Sequence, residues 1–222
     1  RNLAEIAQLL DDLARLDGMN AMMDGRLRVD ALCGQSEARA RNLLRYWLAQ
    51  QGVSMPSAGR LENLLQQLCS ARDDAQIRIA LGDVVIRRYR GEVYIEVKGD
   101  ALLLEPPLIW SLQEKMELPG SGGQLVFERM KGQGVSLAKM TAALVTIRLR
   151  QGGERLRLDC LRPSRSLKNL FQEAGMPPWR RQRLPLLFIG EKLALVPGIG
   201  VDCEYQAEDG EIGVVVKLET TL

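Results

Sequence analysis

Apolar residues recur at helical spacing in the first part of the chain and at every second position further on, and this change of period organises the whole sequence. Leu3, Ile6, Leu10 and Leu13 form the apolar stripe of a first helix. Ser36 opens a second, whose buried side is Leu43, Leu44, Trp47 and Leu48, and Gly52 ends it. Ser57 opens a third, with Leu61, Leu64, Leu65 and Leu68 facing inward. Three helices of this length enclose a small core. Ile77, Ile79 and Leu81 then alternate with Arg78 and Ala80, which predicts a strand, and two further strands follow at 84–89 and 92–97.

The second half reads mostly as strands, at 124–130, 143–149, 155–161, 186–189, 192–196 and 214–218. Gly190-Glu191 reads as a hairpin turn, and one clear helix, 167–174, interrupts the strands. The predicted fold is therefore multidomain. An all-α helical bundle with a small β element spans 1–98. Residues 99–115 form a linker, with the boundary itself at 99–107, where Pro106-Pro107 ends it. An α+β domain with a mostly antiparallel sheet spans 116–222.

Composition narrows the chemistry. The 222 residues are 46% hydrophobic and 26% charged, the profile of a globular protein long enough for two domains. No segment has the unbroken apolar length of a membrane span. Histidine is absent, which removes His-based triads and the commonest zinc ligand. Cys33, Cys69, Cys160 and Cys203 lie far apart with no C-x-x-C pair, a pattern that reads as reduced thiols in a cytoplasmic protein rather than a zinc site. No residue is assigned a catalytic or metal-binding role.

The net charge of +2 conceals a strong asymmetry. Between residues 162 and 183 stand Arg162, Arg165, Lys168, Arg180, Arg181 and Arg183 against one acid, Glu173. Such a field beside a capped helix start is a place where phosphates bind. Ser166 supplies the cap, Leu167, Leu170, Phe171 and Ala174 the apolar face, and Gly175 with Pro177 and Pro178 the stop. Trp179 reads as a core or hinge residue, and Trp47 as core. A second, more diluted basic patch comprises Arg39, Arg41, Arg45, Arg78, Arg87 and Arg88. Residues 202–222 carry the opposite charge and read as a solvated sheet edge. Ser121-Gly122-Gly123-Gln124 lacks the Asp and Ser of a nucleotide-binding loop, so it reads as a turn.

The string S-L-K-x-L-F-Q-E-x-G-x-P-P-W-x-R from Ser166, followed by Pro185-Leu186-Leu187-Phe188, resembles the C-terminal domain of bacterial tRNA(Ile)-lysidine synthetases. RNLLRYWL at residues 41–48 and DAQIRIALGDVVIRRYRGEVYI at residues 74–95 resemble the helical substrate-binding domain of the same family. The resemblance implies a ligase that uses ATP and Mg²⁺ to activate the wobble cytidine of an isoleucine tRNA with a CAU anticodon and joins it to lysine. It implies that the basic C-terminal module grips the acceptor-stem end through the backbone, and that the helical domain meets the anticodon-stem side. The ATP and Mg²⁺ machinery is expected in an N-terminal domain, a partner outside this chain, which itself needs no cofactor. The opening on Arg1 inside a helical pattern reads as the C-terminal part of a larger enzyme. A stand-alone RNA-binding or assembly module is the alternative, and a homodimer stays open.

Overall fold

The computed structural model describes residues 2–72, 77–98, 104–120 and 123–220. In the first part, the helical period gives α1 (Asn2–Gly18), then β1 (Met22–Met23), β2 (Arg26–Arg28), α2 (Val29–Cys33), α3 (Glu37–Gln50) and α4 (Ala58–Ser70). The alternating period gives β3 (Arg78–Leu81), β4 (Val84–Tyr89) and β5 (Glu92–Val97). These strands form one antiparallel sheet in the order β1-β2-β5-β4-β3. Leu43, Leu44, Trp47 and Leu48 of α3 share a core with Leu61, Leu64, Leu65 and Leu68 of α4, and with Leu81, Ile86 and Val93 of the sheet. The expected all-α bundle with a small β element is thus borne out in part: its helices and the strands at 78–97 are present, but the β element is a five-stranded sheet on which the helices pack. Strands of two and three residues, such as β1 and β2, are too short for alternation to be read.

Helix α1 departs further from expectation. It meets α3 through small and polar groups more than through its leucines. Asp17 is ion-paired with Arg39, and Asp11 with Arg45. The Asn42 side-chain amide donates to the Leu10 carbonyl at 2.7 Å. Within α1 only Ala14 and Gly18 are buried, and Leu3, Ile6 and Leu10 are exposed.

The remaining strands and helices are β6 (Leu108–Ile109), β7 (Lys115–Leu118), β8 (Gly123–Lys131), β9 (Val135–Ser136), α5 (Leu137–Thr141), β10 (Val145–Arg148), β11 (Arg155–Leu156), β12 (Arg165–Ser166), α6 (Leu167–Glu173), α7 (Pro178–Arg183), β13 (Leu186–Ile189), β14 (Lys192–Val196), β15 (Gly200–Val201) and β16 (Ile212–Thr220). The chain divides into two compact units, Arg1–Lys98 and Gly99–Thr221. Residues 99–103 of the expected linker lie outside the described residues. The rest of 99–115 is not a linker, because β6 pairs with β10, and Leu104 and Trp110 are buried in the second unit's core. The expected strand at 155–161 shortens to β11, because the Asp159 carboxylate accepts from the Leu161 amide at 2.9 Å and turns the chain.

Two antiparallel sheets, β7-β8-β16-β9 and β15-β14-β13-β10-β6, enclose the main core of this unit. Leu187 and Ile189 of β13 point into it, while Leu186 and Phe188 point to the opposite face, where α6 packs. A strand buried on both faces explains the unbroken apolar run at 186–189. The hairpin turn at Gly190 has a φ of +59°, a conformation that suits glycine.

The expectation of four reduced thiols is corrected. Cys33 pairs with Cys69 and Cys160 with Cys203, with Cα–Cα distances of 5.6 and 5.5 Å. Folding brings together residues 36 and 43 apart in sequence, which spacing alone does not reveal. Among the described residues no helix is long and apolar enough to cross a membrane.

Candidate nucleic-acid interface

The basic module is built on a small core of its own. Leu156 from β11, Leu167, Leu170 and Phe171 from α6, Leu184 after α7, and Leu186, Leu193 and Val196 from the sheet pack together. Ser166 caps α6, its hydroxyl accepting from the Asn169 amide at 3.4 Å. Gly175 follows with φ +65°, and the Met176 amide donates back to the Phe171 carbonyl at 2.9 Å. Pro177 and Pro178 do end α6, but Pro178 also begins α7. Proline is suited to a first helical position because that N–H has no partner in the helix anyway. The three arginines read as flanking charges are therefore carried by a second short helix. Trp179, on its first turn, is half-buried.

The six predicted residues are not equivalent. Lys168 and Arg180 are exposed on α6 and α7, and Arg162 is also exposed, 82% at the side chain, with Asp159 at 3.4 Å. Arg181 is half-buried, and its Nε donates to the Met176 carbonyl at 2.7 Å, closing the α6–α7 turn. Arg183 is half-buried at the end of α7. Arg165 grips Glu173 through both guanidinium nitrogens, one contact at 2.7 Å. That hydrogen-bonded pairing holds the Glu173 carboxyl below its usual range. A depressed carboxylate pKa means the pair is intact above the ordinary carboxylate range and is lost as pH falls through the lowered value. At neutral pH Glu173 therefore masks part of the module's charge. Glu173→Gln is expected to free Arg165, raise affinity for a polyanion and steepen its salt dependence by up to about one unit. Filter binding at several salt concentrations measures both, and unchanged or weaker binding would contradict the masking.

Some charged residues beside this module were not singled out from the sequence. Arg155, Arg157, Ser164, Lys192 and Tyr205 line a cleft of about 320 Å³ together with Asp202 and Glu204. Lys192 and Arg157 share Glu204, and Arg155 Nε donates to the Ser164 hydroxyl at 3.0 Å. Ladder pairing sets Arg155 opposite Ser166 and Leu156 opposite Arg165. No sequence signal joined them, because β11 and β12 are each two residues long. Asp202 also accepts from the Arg157 amide at 2.8 Å, so part of the acidic segment ties down the module's flank instead of forming a solvated edge.

The second predicted patch does not form a single free basic surface. Arg39 and Arg45 hold α1 onto α3, and Arg41 pairs with Glu37 on its own helix at 3.0 Å. Arg87 pairs with Glu96 across the β4–β5 ladder at 2.6 Å, and Arg78 is exposed opposite Arg87. Arg88 corrects the expectation outright. It is 3% exposed, and its Nη1 donates to the Leu68 and Ala71 carbonyls at 2.8 and 2.9 Å. These carbonyls belong to the last turn and cap of α4, which lack helical partners. Arg88→Met should destabilise the first unit by about 1.5–3 kcal/mol, the usual worth of charge-assisted hydrogen bonds to buried groups. Urea denaturation reads this, and a loss below about 0.5 kcal/mol would refute the capping role.

Among the described residues no group of three or more His, Cys, Asp or Glu side chains stands where it could hold a metal ion. Ser121 and Gly122 lie outside the described residues, and Gly123 opens β8.

Comparison with known proteins bears on both units. Residues 27–94 match the family model described as "TilS substrate binding domain", and residues 145–218 the one described as "TilS substrate C-terminal domain". The chain belongs to the tRNA(Ile)-lysidine synthase family. The lysidine synthase of Nitrosomonas europaea is 41% identical over 97% of this chain and 47% of its own length. That of Ralstonia nicotianae is 37% identical over 90% and 45%, and that of Coxiella burnetii 32% over 97% and 48%. This family member thus spans about half the length of the curated relatives it matches. The second match covers the whole basic module from Arg162 to Arg183, and the first covers Arg39, Arg41, Arg45 and the β3–β5 arginines.

Proposed function

We propose that this chain is the RNA-gripping portion of a tRNA(Ile)-lysidine synthase. It binds isoleucine tRNA with a CAU anticodon and holds it in register, while ATP, Mg²⁺ and lysine are handled by an N-terminal portion of the intact cytoplasmic enzyme. The observation that carries this reading is the set of cations Arg162, Arg165, Lys168, Arg180, Arg181 and Arg183 mounted on one small rigid core. Arginine and lysine at such density suit phosphate oxygens, which fix register and orientation without reading bases. Positioning of this kind contributes to rate, because a bound but misplaced nucleotide reacts slowly.

Calorimetric titration of this chain tests the division of labour. Isoleucine tRNA should give a saturable binding isotherm, and ATP·Mg²⁺ and lysine should give none. A saturable ATP site at micromolar concentration would overturn the reading.

A further inference from the structure

Residues 159–163, which carry Arg162 between β11 and β12, are fastened to the second unit at one point. Within them the Leu161 amide donates to the Asp159 carboxylate at 2.9 Å, and the Arg162 amide donates to the Asp159 carbonyl at 3.0 Å. The Arg162 guanidinium pairs with the same carboxylate at 3.4 Å. These contacts shape the turn and leave it untied. Hydrogen bonds to the rest of the unit lie on either side of it: Gln206 donates to the Leu158 carbonyl at 3.0 Å, and Arg155 holds Ser164. Between those anchors, among the described residues, the Cys160–Cys203 disulfide is the tie. Every residue from 159 to 163 is exposed, Leu161 by 95%, so packing does not hold the turn either. The Cys33–Cys69 bond differs. Its cysteines adjoin Leu32 and Leu68, both 0% exposed, which anchor α2 and α4 in the first core without it.

We propose that the Cys160–Cys203 bond is a redox switch on the RNA grip. Oxidised, it holds Arg162 beside the other cations of the module; reduced, it frees residues 159–163 and with them one phosphate contact. The inference rests on the tRNA-binding role proposed above. The loop closed by the bond runs from 160 to 203 and carries the whole basic module, and Cys160 is exposed, so a small thiolate can reach the bond. In the cytoplasm, where that enzyme is proposed to work, thiols are kept reduced, and the disulfides that do form are usually transient and redox-sensing. A dithiol reductant balances the step. Its thiolate attacks Cys160 Sγ, the S–S bond breaks, and Cys203 leaves as a thiolate and takes up a proton. The second thiol of the reductant then displaces Cys160 from the mixed disulfide. The protein gains a pair of electrons and a pair of protons, and the dithiol becomes a disulfide. Exchange in the reverse direction, with a disulfide as oxidant, restores the bond.

Filter binding of isoleucine tRNA at several salt concentrations, to the oxidised chain and to the chain reduced with dithiothreitol, tests this. Reduction should weaken binding about fivefold at moderate salt and make the salt slope shallower by up to about one unit. Reoxidation with oxidised glutathione should restore both. The double substitution Cys160→Ser and Cys203→Ser should give the weaker binding with or without dithiothreitol, whereas Cys33→Ser with Cys69→Ser should keep the response. Hydrogen exchange of the α6 amides should be equal in the oxidised and reduced chains, showing that the module stays folded. Affinity unchanged by reduction would overturn the switch and leave the proposed function standing. So would loss of the response in the Cys33→Ser, Cys69→Ser variant. Weaker binding accompanied by faster exchange throughout α6 would also overturn it, since the bond would then be a staple for the whole module. Absence of binding by either form would count against the proposed function itself and remove the switch with it.

Discussion

Phe171→Ala is expected to destabilise the second unit by about 3–5 kcal/mol, the range for truncating a fully buried aromatic residue. Phe171 is 0% exposed and lies at the centre of the core that joins α6 to β11, β13 and β14. Arg150 also lies over its ring, 5.7 Å from the centroid, so the cavity would remove the support of a charged neighbour. The loss should reach function as well. With α6 unanchored, the Ser166 cap, Lys168 and the α7 arginines no longer share a fixed platform, and tRNA affinity should fall even though no cation is removed. Denaturant unfolding followed by filter binding measures both effects. A stability change below about 1 kcal/mol would show that this core does not hold the module.

The combined substitution Arg162→Ala, Lys168→Ala and Arg180→Ala should lower tRNA affinity about a hundredfold at moderate salt and leave the choice of tRNA unchanged. Each residue is exposed on the module, so each substitution removes one candidate phosphate contact and reduces the salt slope by about one unit. Three contacts on separate residues should add nearly independently. Folding stability should change little, because none of the three side chains is buried. Arg165→Ala and Arg181→Ala are expected to behave differently. The first loses a cation already engaged by Glu173, and the second also breaks the tie to the Met176 carbonyl. A triple variant with wild-type affinity would reduce the cluster to a solvated surface.

What the sequence made legible follows a physical rule. Helices α3 and α4 are long and have Ser36 and Ser57 at their N-terminal flanks. They bury Leu43, Leu44, Trp47, Leu48, Leu61, Leu64, Leu65 and Leu68, the eight residues their periodicity picked out. The α6 unit was equally readable, because the Ser166 cap, the Leu167–Phe171 face and Gly175 all point the same way. Helix α7 was hidden because Pro178 reads as a breaker until it occupies a first helical turn. The stripe of α1 was visible, but periodicity says only that one face is apolar, not that a partner inside this chain covers it. Arg87 and Arg88 show the same limit in a strand. Neighbours point to opposite faces of the sheet, so one of two adjacent arginines must turn inward; Arg88 shares its face with the core residues Val84 and Ile86, and there it meets the α4 carbonyls. The RNA-binding reading was legible from charge density and motif. The masking of Arg165 by Glu173 and the flanking cleft at Arg155 and Arg157 were not, because they depend on pairings across the fold.

The most direct test of the central claim is the salt dependence of isoleucine tRNA binding by this chain alone. The account predicts saturable binding whose log affinity falls linearly with log salt, with a slope of about −4 or steeper, as expected when several phosphates are neutralised. The triple variant should recover about three units of that slope. A slope near zero, or no saturable binding at low salt, would contradict the claim that these residues form a phosphate-gripping surface.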